Sequence, residues 1–387
     1  MDQEPSILAQ LQAAVAHAKP VRAPSQAFYK YPARFSPVFA RTFIEHLTRP
    51  GQWVLDPFVG GGTSAVEALC CGRRFVGGDL SSLAHFVSTV KTTPLSESDR
   101  AELDRWLHLT ASAVGRQRTF KEESHDLANI PPEVRRVSNA GLWYARRLPM
   151  PRQRRFARAV LLRFGQWATE REAGPPPSDD LVAHLRSVHI QLHDSLDELV
   201  TQARVAGIAK NRITGWRRLA HAKAADLGGM RQLKSLSGKV RLVVTSPPYP
   251  GVHVLYHRWQ VRGRRETAAP FWIAGVPDGE AESYYTFGGR KQAGFNRYFK
   301  ALHDSYVGLR PLLHPDAIVA QLVAFSDPGT QRGRFLGTME RAGYQETSVS
   351  GLPSGVTRKV PGRRWYAQLR EDTPSGCEHL LLHRLRR

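Results

Sequence analysis

Hydrophobic and polar positions divide the chain into two stretches with strand-like patterns and a helical stretch between them. Short apolar runs followed by a polar turn predict buried strands, as at Trp53–Leu55 and at Val240–Val244, which Arg241 interrupts. From about residue 96 to residue 220, apolar residues instead recur at helical spacing. This order predicts an α/β protein with a doubly wound, mostly parallel, seven-stranded sheet and an inserted helical region.

Four segments follow from this pattern. Residues 1–27 form a peripheral segment, residues 28–95 and 221–387 form the two halves of one domain, and residues 96–220 form the insertion. The first half is predicted to bind a cofactor and the second to carry out the chemistry, for reasons given below.

The insertion is predicted to consist of basic helices. One helix at about residues 151–170 carries Arg152, Arg154 and Arg155, and an arginine-rich face is either a solvated surface or a nucleic-acid contact. Nearby aromatic residues and Asn139 favour the nucleic-acid contact. A later helix, which Ser178 is predicted to cap, has leucines at near-heptad spacing, and this stripe predicts ordinary packing.

The charge balance indicates a polyanionic partner. The 387 residues include 55 Lys and Arg against 34 Asp and Glu, which gives a net charge of +21. DNA or RNA is the natural partner of so basic a protein. The three cysteines have neither a disulfide pattern nor zinc-ligand spacing, so no metal is predicted. No secretory signal and no membrane-spanning run is recognisable, and we expect a cytoplasmic, nucleoid-associated protein without a membrane partner.

A glycine-rich turn follows the first predicted strand, with the sequence Asp56-Pro57-Phe58-Val59-Gly60-Gly61-Gly62-Thr63-Ser64. The glycines let a ligand approach the backbone beside a helix N-terminus. There is no lysine after the last glycine and no GxGxxG, so neither a nucleotide phosphate loop nor a dinucleotide fingerprint fits. Asp56 suits an ammonium group, and Asp79, which ends the next strand, is placed for a ribose diol. Together these features indicate S-adenosylmethionine.

A stiff turn, Thr245-Ser246-Pro247-Pro248-Tyr249, ends the strand Val240–Val244. Two prolines terminate the strand because neither has an N–H group for the ladder. The Ser246 hydroxyl and the proline carbonyls can accept hydrogen bonds from an exocyclic amine, and a flat base can stack on Tyr249. These four residues, Ser246 to Tyr249, are the predicted catalytic residues. The alternative is an ordinary Pro-Pro-Tyr loop.

The stretches FYKYPARF, LDPFVGGGT, GGDLSSLA and TSPPY, in this order, resemble the amino-methyltransferases that modify DNA bases. The serine in TSPPY resembles the N4-cytosine group. The chain departs from the family's usual pattern at Phe28 or Tyr29, where histidine is frequent, and at Gly61, where Ser or Thr is usual. The resemblance implies that Asp226 holds the cofactor's adenine amine, although a helix N-cap is an alternative. The implied cofactor-binding residues are Phe35, Ser36, Asp56, Pro57, Phe58, Gly60, Gly62, Thr63, Asp79, Leu80 and Asp226.

The predicted function is S-adenosylmethionine-dependent methylation of a DNA base amine, most simply cytosine N4, after the base flips out of the duplex. Alternatives are adenine N6 methylation, RNA methylation, and a catalytically silent nucleic-acid-binding protein of the same fold. DNA is the predicted partner, and a cognate restriction endonuclease is a further candidate.

Further DNA contacts are predicted outside these turns. Residues 250–294, rich in glycine, aromatic residues and arginine, are expected to form one DNA-facing loop that includes Arg258. A basic turn near the end of the chain places Arg363 and Arg364 as backbone contacts. The aromatic stretch 28–35 is expected to be a functional loop rather than part of the core.

Overall fold

The computed structural model describes residues 5–17, 23–24, 27–30, 36–120, 129–171, 177–250, 258–261, 265–278, 287, 292–360 and 376–386. The strands are β1 (Trp53–Asp56), β2 (Arg74–Asp79), β3 (Arg217–His221), β4 (Val240–Thr245), β5 (Trp259–Val261), β6 (Arg265–Thr267), β7 (Leu313–Ala324), β8 (Tyr344–Glu346), β9 (Thr357–Lys359) and β10 (Cys377–Leu385). The α-helices are α1 (Ile7–Ala16), α2 (Pro37–Leu47), α3 (Thr63–Cys70), α4 (Ser82–Lys91), α5 (Glu97–Gly115), α6 (Pro132–Ala145), α7 (Pro151–Thr169), α8 (Ser178–Val205), α9 (Ala269–Ala274), α10 (Gln292–Leu309) and α11 (Pro328–Arg341). Short 3₁₀ helices cover Lys210–Trp216, Ala224–Gly229, Arg231–Leu236 and Arg310–Leu312.

The central sheet has the strand order β3-β2-β1-β4-β7-β10-β8. The neighbours from β3 to β7 run parallel, whereas β10 is antiparallel to both β7 and β8. The short strand β9 pairs with β10 in addition, and β5 and β6 form a separate antiparallel hairpin. The predicted fold class, a doubly wound and mostly parallel α/β sheet, is confirmed.

The strands of the sheet bury apolar residues on both faces, because successive side chains of a strand point to opposite sides. Val54 and Phe75 lie in the same core as the buried face of α2, and Leu55 and Val76 lie in the core on the other side, which α10 covers. A sheet covered on both faces favours strands that are apolar and buried along most of their length, as found at β1 and, apart from Arg241, at β4.

The helical insertion shares a hydrophobic core with the sheet domain rather than standing apart from it. Apolar residues of α5 to α8 lie in one cluster with Leu69 of α3 and Leu83 of α4. The leucine stripe of α8 is buried, as predicted: Leu181, Leu185, Val188, Leu192, Leu196 and Leu199 are at most 1% exposed. The insertion is therefore fixed to the helices that follow the glycine-rich turn and β2.

Two predicted functional loops belong at least partly to the core. Phe28 and Tyr29 are buried, and the Tyr29 hydroxyl accepts a hydrogen bond from Trp259 Nε1 (3.2 Å). Residues 258–261 and 265–278 do not belong to one long loop. They form the β5–β6 hairpin and α9, because apolar side chains such as Phe271 and Ile273 are buried there.

Smaller differences concern element boundaries. Helix α8 begins at Ser178, so its N-cap is Pro177 rather than the serine. The mostly apolar run Ile318–Phe325 by itself predicts a strand, but strand β7 begins five residues earlier, at Leu313, because Leu313 pairs with Val240. Pairing with a neighbouring strand, which the local pattern does not reveal, sets this boundary.

Candidate cofactor and substrate site

Three neighbouring strands, β2, β1 and β4, end at one edge of the sheet and bring the predicted motifs together. The Thr245 hydroxyl at the end of β4 donates to Asp56 Oδ1 at the end of β1 (2.6 Å). The backbone N–H of Gly60 donates to Asp79 Oδ2 at the end of β2 (2.8 Å). The chain leaves β1 towards β2 on one side and returns to β4 on the other, which is the position where open α/β sheets bind ligands.

Asp56 anchors the glycine-rich turn from inside the protein. Its carboxylate is fully buried and also accepts hydrogen bonds from the Phe58 backbone N–H (3.0 Å) and the Ser64 hydroxyl (2.5 Å). Burial raises its pKa to about 6, against the opposing effect of these hydrogen bonds. A cation bound nearby would favour the ionised form. Direct contact between Asp56 and a ligand ammonium group remains a prediction.

The backbone of the glycine-rich turn is held by α4. Gly60 and Gly62 have φ values of +49° and +78°, in the left-handed region that side chains disfavour. A Cβ on Gly62 would lie 2.9 Å from the Ser88 hydroxyl oxygen, so only glycine fits there. Ser88 donates to the Gly60 carbonyl (3.2 Å), and the buried Lys91 ammonium donates to the Gly61 carbonyl. Sequence reasoning missed both supports.

Asp79 lies half-buried at the end of β2, next to the turn. Its Oδ1 accepts from the Ser81 N–H (2.8 Å), and burial raises the pKa of the carboxyl. Leu80, the following residue, is tied to the end of β3 by a hydrogen bond between its carbonyl and His221 Nε2 (2.9 Å). Asp79 therefore combines a fixed position with partial exposure, as a ribose ligand requires.

The remaining predicted cofactor residues are more scattered. Pro57 and Thr63 are buried parts of the turn and of the start of α3. Ser36 is the N-cap residue of α2, and its hydroxyl lies 3.4 Å from His17 Nδ1.

Asp226 is exposed within the 3₁₀ helix Ala224–Gly229. The N-cap residue of this helix is Lys223, so the alternative of an Asp226 N-cap is wrong. Phe35 lies outside the described residues.

The Ser-Pro-Pro-Tyr turn is held by a backbone carbonyl and a carboxylate from distant parts of the chain. The Ser246 hydroxyl donates to the Leu322 carbonyl (3.1 Å) and lies 3.0 Å from the Tyr249 hydroxyl. Tyr249 in turn donates to Glu378 Oε1 (2.6 Å). With both hydroxyl protons used in this way, the Ser246 oxygen keeps lone pairs that can accept a hydrogen bond.

The two proline carbonyls differ. The Pro248 carbonyl accepts from the Tyr298 hydroxyl (2.8 Å). No donor to the Pro247 carbonyl lies in the described part of the chain, so of the two it is the one with both lone pairs available to a ligand. Phe58, Phe287 and Tyr298 form a run of edge-to-face aromatic contacts, with centroid distances of 5.6 and 5.5 Å. This run leads from the glycine-rich turn to Pro248, whose carbonyl accepts from Tyr298.

A buried ion pair supports the tyrosine. Glu378 is 1% exposed and accepts from Arg358 Nε (2.7 Å), its partner across the β9–β10 ladder. Arg358 also donates to the His17 carbonyl beyond the end of α1 (3.1 Å). The Tyr249 ring is itself only 7% exposed. No local motif marks Glu378 or Arg358, and their partners become visible only in the folded chain.

Most of the described arginines predicted to contact DNA have partners within the protein. Arg152 Nε donates to the buried Asp99 (2.6 Å), Arg154 donates to the Leu148 carbonyl (2.6 Å), and Arg258 donates to Asp278 (2.7 Å).

The other arginines predicted to contact DNA are Arg155, Arg363 and Arg364. Arg155 is half-buried, and burial lowers its pKa. Arg363 and Arg364 lie outside the described residues. The DNA-contact assignments stay predictions, but Arg152 and Arg258 have a structural role that sequence reasoning did not foresee.

Comparisons with known proteins find similarity to methyltransferases. Residues 14–87 match the family model of N6/N4-type DNA methylases. The type II methyltransferase M.MvaI of Kocuria varians is 33% identical over 109 residues, which are 27% of this chain, and the chain spans 23% of that relative's length. Two solved structures of the rRNA methyltransferase aviRa from Streptomyces viridochromogenes align over 99% of this chain and 94% of theirs, with 10% identity and TM-scores of 0.32 and 0.31. A likeness at those TM-scores carries no argument about fold or substrate.

The parallel sheet, with its antiparallel strand β10 inserted before β8, has the topology of a class I methyltransferase-like fold. The match to the N6/N4 DNA methylase family covers residues 14–87, which contain β1, the glycine-rich turn and β2. The family resemblance is thereby confirmed for that segment, and S-adenosylmethionine is the cofactor of the family. The match ends before Thr245, so the Ser-Pro-Pro-Tyr turn is not part of it. Among the described residues, no helix is both long and apolar enough to cross a membrane.

Proposed function

We propose that the protein transfers a methyl group from S-adenosylmethionine to an exocyclic amine of a DNA base, with cytosine N4 as the favoured target. The observation that carries this proposal is the hydrogen bond between Thr245 and Asp56. It joins the turn predicted to bind the amine to the turn predicted to bind the cofactor. Two such turns at one sheet edge allow a donor and an acceptor to meet.

The residues at the glycine-rich turn fit the cofactor. Gly60 has a positive φ, and among the described residues other than its two chain neighbours the nearest atom to a Cβ there would be the Phe58 carbonyl oxygen, at 3.8 Å, so these residues leave the backbone open to close approach. Asp79 offers carboxylate oxygens for a ribose diol, and Asp56 offers a negative charge under the turn. When bound, S-adenosylmethionine supplies an electrophilic methyl group on a sulfonium centre.

The Ser-Pro-Pro-Tyr turn would orient the amine. The Ser246 oxygen and the Pro247 carbonyl can each accept one N–H of an exocyclic amine, which turns the nitrogen lone pair out of conjugation and towards the methyl group. Such positioning contributes to the rate without a covalent intermediate. A base inside a duplex cannot reach this turn, so the target must flip out, at a cost of a few kcal/mol.

The test compares Ser246→Ala with the wild type on DNA duplexes, using radiolabelled methyl transfer and separation of the modified bases. Loss of a hydrogen bond that acts mainly in the transition state should raise the activation free energy by roughly 2–4 kcal/mol, which lowers turnover about 30- to 1,000-fold. Cofactor affinity, measured by calorimetry, should hardly change. Ser237→Ala is the control, because this exposed serine also donates to a carbonyl (Pro311, 3.1 Å) but lies at the opposite edge of the sheet.

The same assay separates the alternatives. N4-methylcytosine as the product supports the favoured target, and N6-methyladenine would replace it with the other amine. Wild-type turnover in Ser246→Ala would remove the turn from the chemistry. Absence of transfer to any DNA, with cofactor bound, would redirect the proposal to RNA. A restriction endonuclease with the same recognition sequence is the partner to look for once that sequence is known.

A further inference from the structure

We infer that Asp104, His189 and His193 bind a divalent transition-metal ion between α5 and α8. The two histidines lie four residues apart on α8 and therefore project from one face of the helix. Asp104 faces them from α5, and its Oδ1 lies 2.9 Å from His189 Nε2. One potential ligand atom from each of the three residues lies within 4.8 Å of the other two.

Both histidines are buried, and three of their four ring nitrogens have no hydrogen-bond partner among the described residues. His189 is 3% exposed and His193 is 7% exposed. Neither ring nitrogen of His193 has a hydrogen-bond partner among the described residues, and Nδ1 of His189 has none either. A buried polar group without a partner destabilises a protein by about 1–3 kcal/mol. A metal ion would take one nitrogen from each ring and so relieve part of this cost.

The chemistry of the three side chains fits such an ion. Metals bind neutral imidazole, and burial disfavours the charged form of a histidine, so a buried histidine is a suitable metal ligand. Two imidazoles and one carboxylate suit Zn²⁺ and its neighbours better than Mg²⁺ or Ca²⁺. Tetrahedral bonds of about 2.0 Å place ligand atoms roughly 3.3 Å apart. Asp104 Oδ1 and His189 Nε2, which are 2.9 Å apart, would therefore have to separate slightly, and any pair near the 4.8 Å limit would have to approach, both by side-chain rotation.

The surroundings provide both access and enclosure. The Asp104 side chain is 69% exposed, which gives the ion a way in and leaves room for a water ligand. Phe156 packs against the His193 ring with a centroid distance of 4.5 Å and excludes water from the inner side. Arg100 is the nearby positive charge that opposes a cation, but its guanidinium is already paired with Asp197. A bound ion would tie α5 to α8 within the insertion, independently of methyl transfer.

The experiment uses the full chain, freed of any affinity tag and treated with a chelator. Zn²⁺ affinity is measured by competition with a chromophoric chelator, and Co²⁺ is added separately for its visible absorption, which is strong in tetrahedral sites. Asp104→Asn removes a ligand on the surface and should leave the fold intact. Asp194→Asn is the matched control, because Asp194 is an exposed aspartate next to His193.

The wild type and Asp194→Asn should bind Zn²⁺ equally and give the same Co²⁺ spectrum. Asp104→Asn should bind Zn²⁺ roughly tenfold more weakly or worse, and should lose the tetrahedral spectrum. His193→Gln should behave like Asp104→Asn if its circular dichroism matches the wild type. Equal Zn²⁺ affinity in Asp104→Asn, or no uptake of Zn²⁺ and Co²⁺ by the wild type, would overturn the inference.

Discussion

The two sides of the candidate site are built from different kinds of contact. The glycine-rich turn is held by neighbours in sequence: Asp79 is 19 residues from Gly60, and Ser88 is 28 residues away from it. The Ser-Pro-Pro-Tyr turn is held by residues that are distant in sequence, since Leu322 is 76 residues from Ser246 and Glu378 is 129 residues from Tyr249. The first side is a local motif with local support, whereas the second depends on strands that follow much later.

One contact joins the two sides. Thr245 and Asp56 are 189 residues apart, and their hydrogen bond lies in the core beneath both turns. A change at Asp56 should therefore affect both sides, whereas changes at Asp79 or Tyr249 should affect one side each. The predictions below test this division.

The largest effect is expected on the pH dependence of stability. The Asp56 pKa is raised from 3.8 to about 6 in the folded protein, so between these values the folded state holds a proton that the unfolded chain has lost. The contribution of this carboxyl is fully present below about pH 4 and is lost as pH rises through 6, an effect of at most about 3 kcal/mol. Asp56→Asn cannot titrate. Urea unfolding from pH 4 to 8 should show a steeper fall for the wild type, and parallel curves would contradict the raised pKa.

Asp79→Ala should damage the glycine-rich side alone. The loss of hydrogen bonds from a ribose diol to a charged group should weaken cofactor binding by roughly 1.5–3 kcal/mol, or about 10- to 150-fold. Calorimetry with S-adenosylmethionine measures this, and thermal unfolding checks that the turn survives. Asp316→Ala is the control, because Asp316 lies near the start of β7, at the opposite edge of the sheet. Unchanged affinity in Asp79→Ala would remove the ribose assignment.

Tyr249→Phe should damage the other side. The ring is kept, but Oε1 of the buried Glu378 loses the hydrogen bond from Tyr249, while Oε2 keeps the one from Arg358; this loss should destabilise the protein by about 1–3 kcal/mol. Turnover should fall because the Tyr249 hydroxyl, which lies 3.0 Å from the Ser246 hydroxyl, is removed. Cofactor affinity should stay the same.

Tyr344→Phe is the control, because it also removes a buried hydroxyl, which donates to the Tyr306 carbonyl (2.8 Å). It should destabilise the protein without slowing the folded enzyme. If Tyr249→Phe also leaves turnover unchanged, the hydroxyl network does not position Ser246.

The smallest effect is expected outside both sides, on DNA binding by the insertion. Removing Arg152 would take a hydrogen-bond donor from the buried Asp99. Hydrogen bonds from Arg152 and Ser96 lower the pKa of Asp99 to about 2, against the effect of burial. The exposed Arg147, which lies over the Trp143 ring, is a cleaner target. Arg147→Gln should weaken binding to all sequences alike and reduce the slope of log affinity against log salt by about 1. Arg386→Gln, outside the insertion, should not; an equal change in both variants would point to net charge alone.

The same division explains what could be predicted from the sequence. The glycine-rich turn and its two acids were recognisable because spacing along one β-α-β unit fixes their arrangement. The leucine stripe of α8 predicted a buried face for a similar reason. Glu378 and Tyr298 could not be found this way, because their partners are set by the pairing of β10 and the packing of α10. Phe28 and Tyr29 were expected at a functional loop rather than in the core, and β5 and β6 were expected to be part of a loop. The sequence does not distinguish aromatic side chains in a core from those at a ligand site.

The position of β10 has a consequence for how the molecule forms. This strand is late in the sequence, yet it lies inside the sheet between β7 and β8 and carries Glu378 beneath Tyr249. During synthesis the earlier strands leave the ribosome first, so the glycine-rich turn can form before the strand that completes the sheet exists. A chain caught at that stage would have the cofactor side nearly complete and the substrate side unsupported. Such a chain would be able to bind the predicted cofactor before it is able to catalyse the predicted reaction.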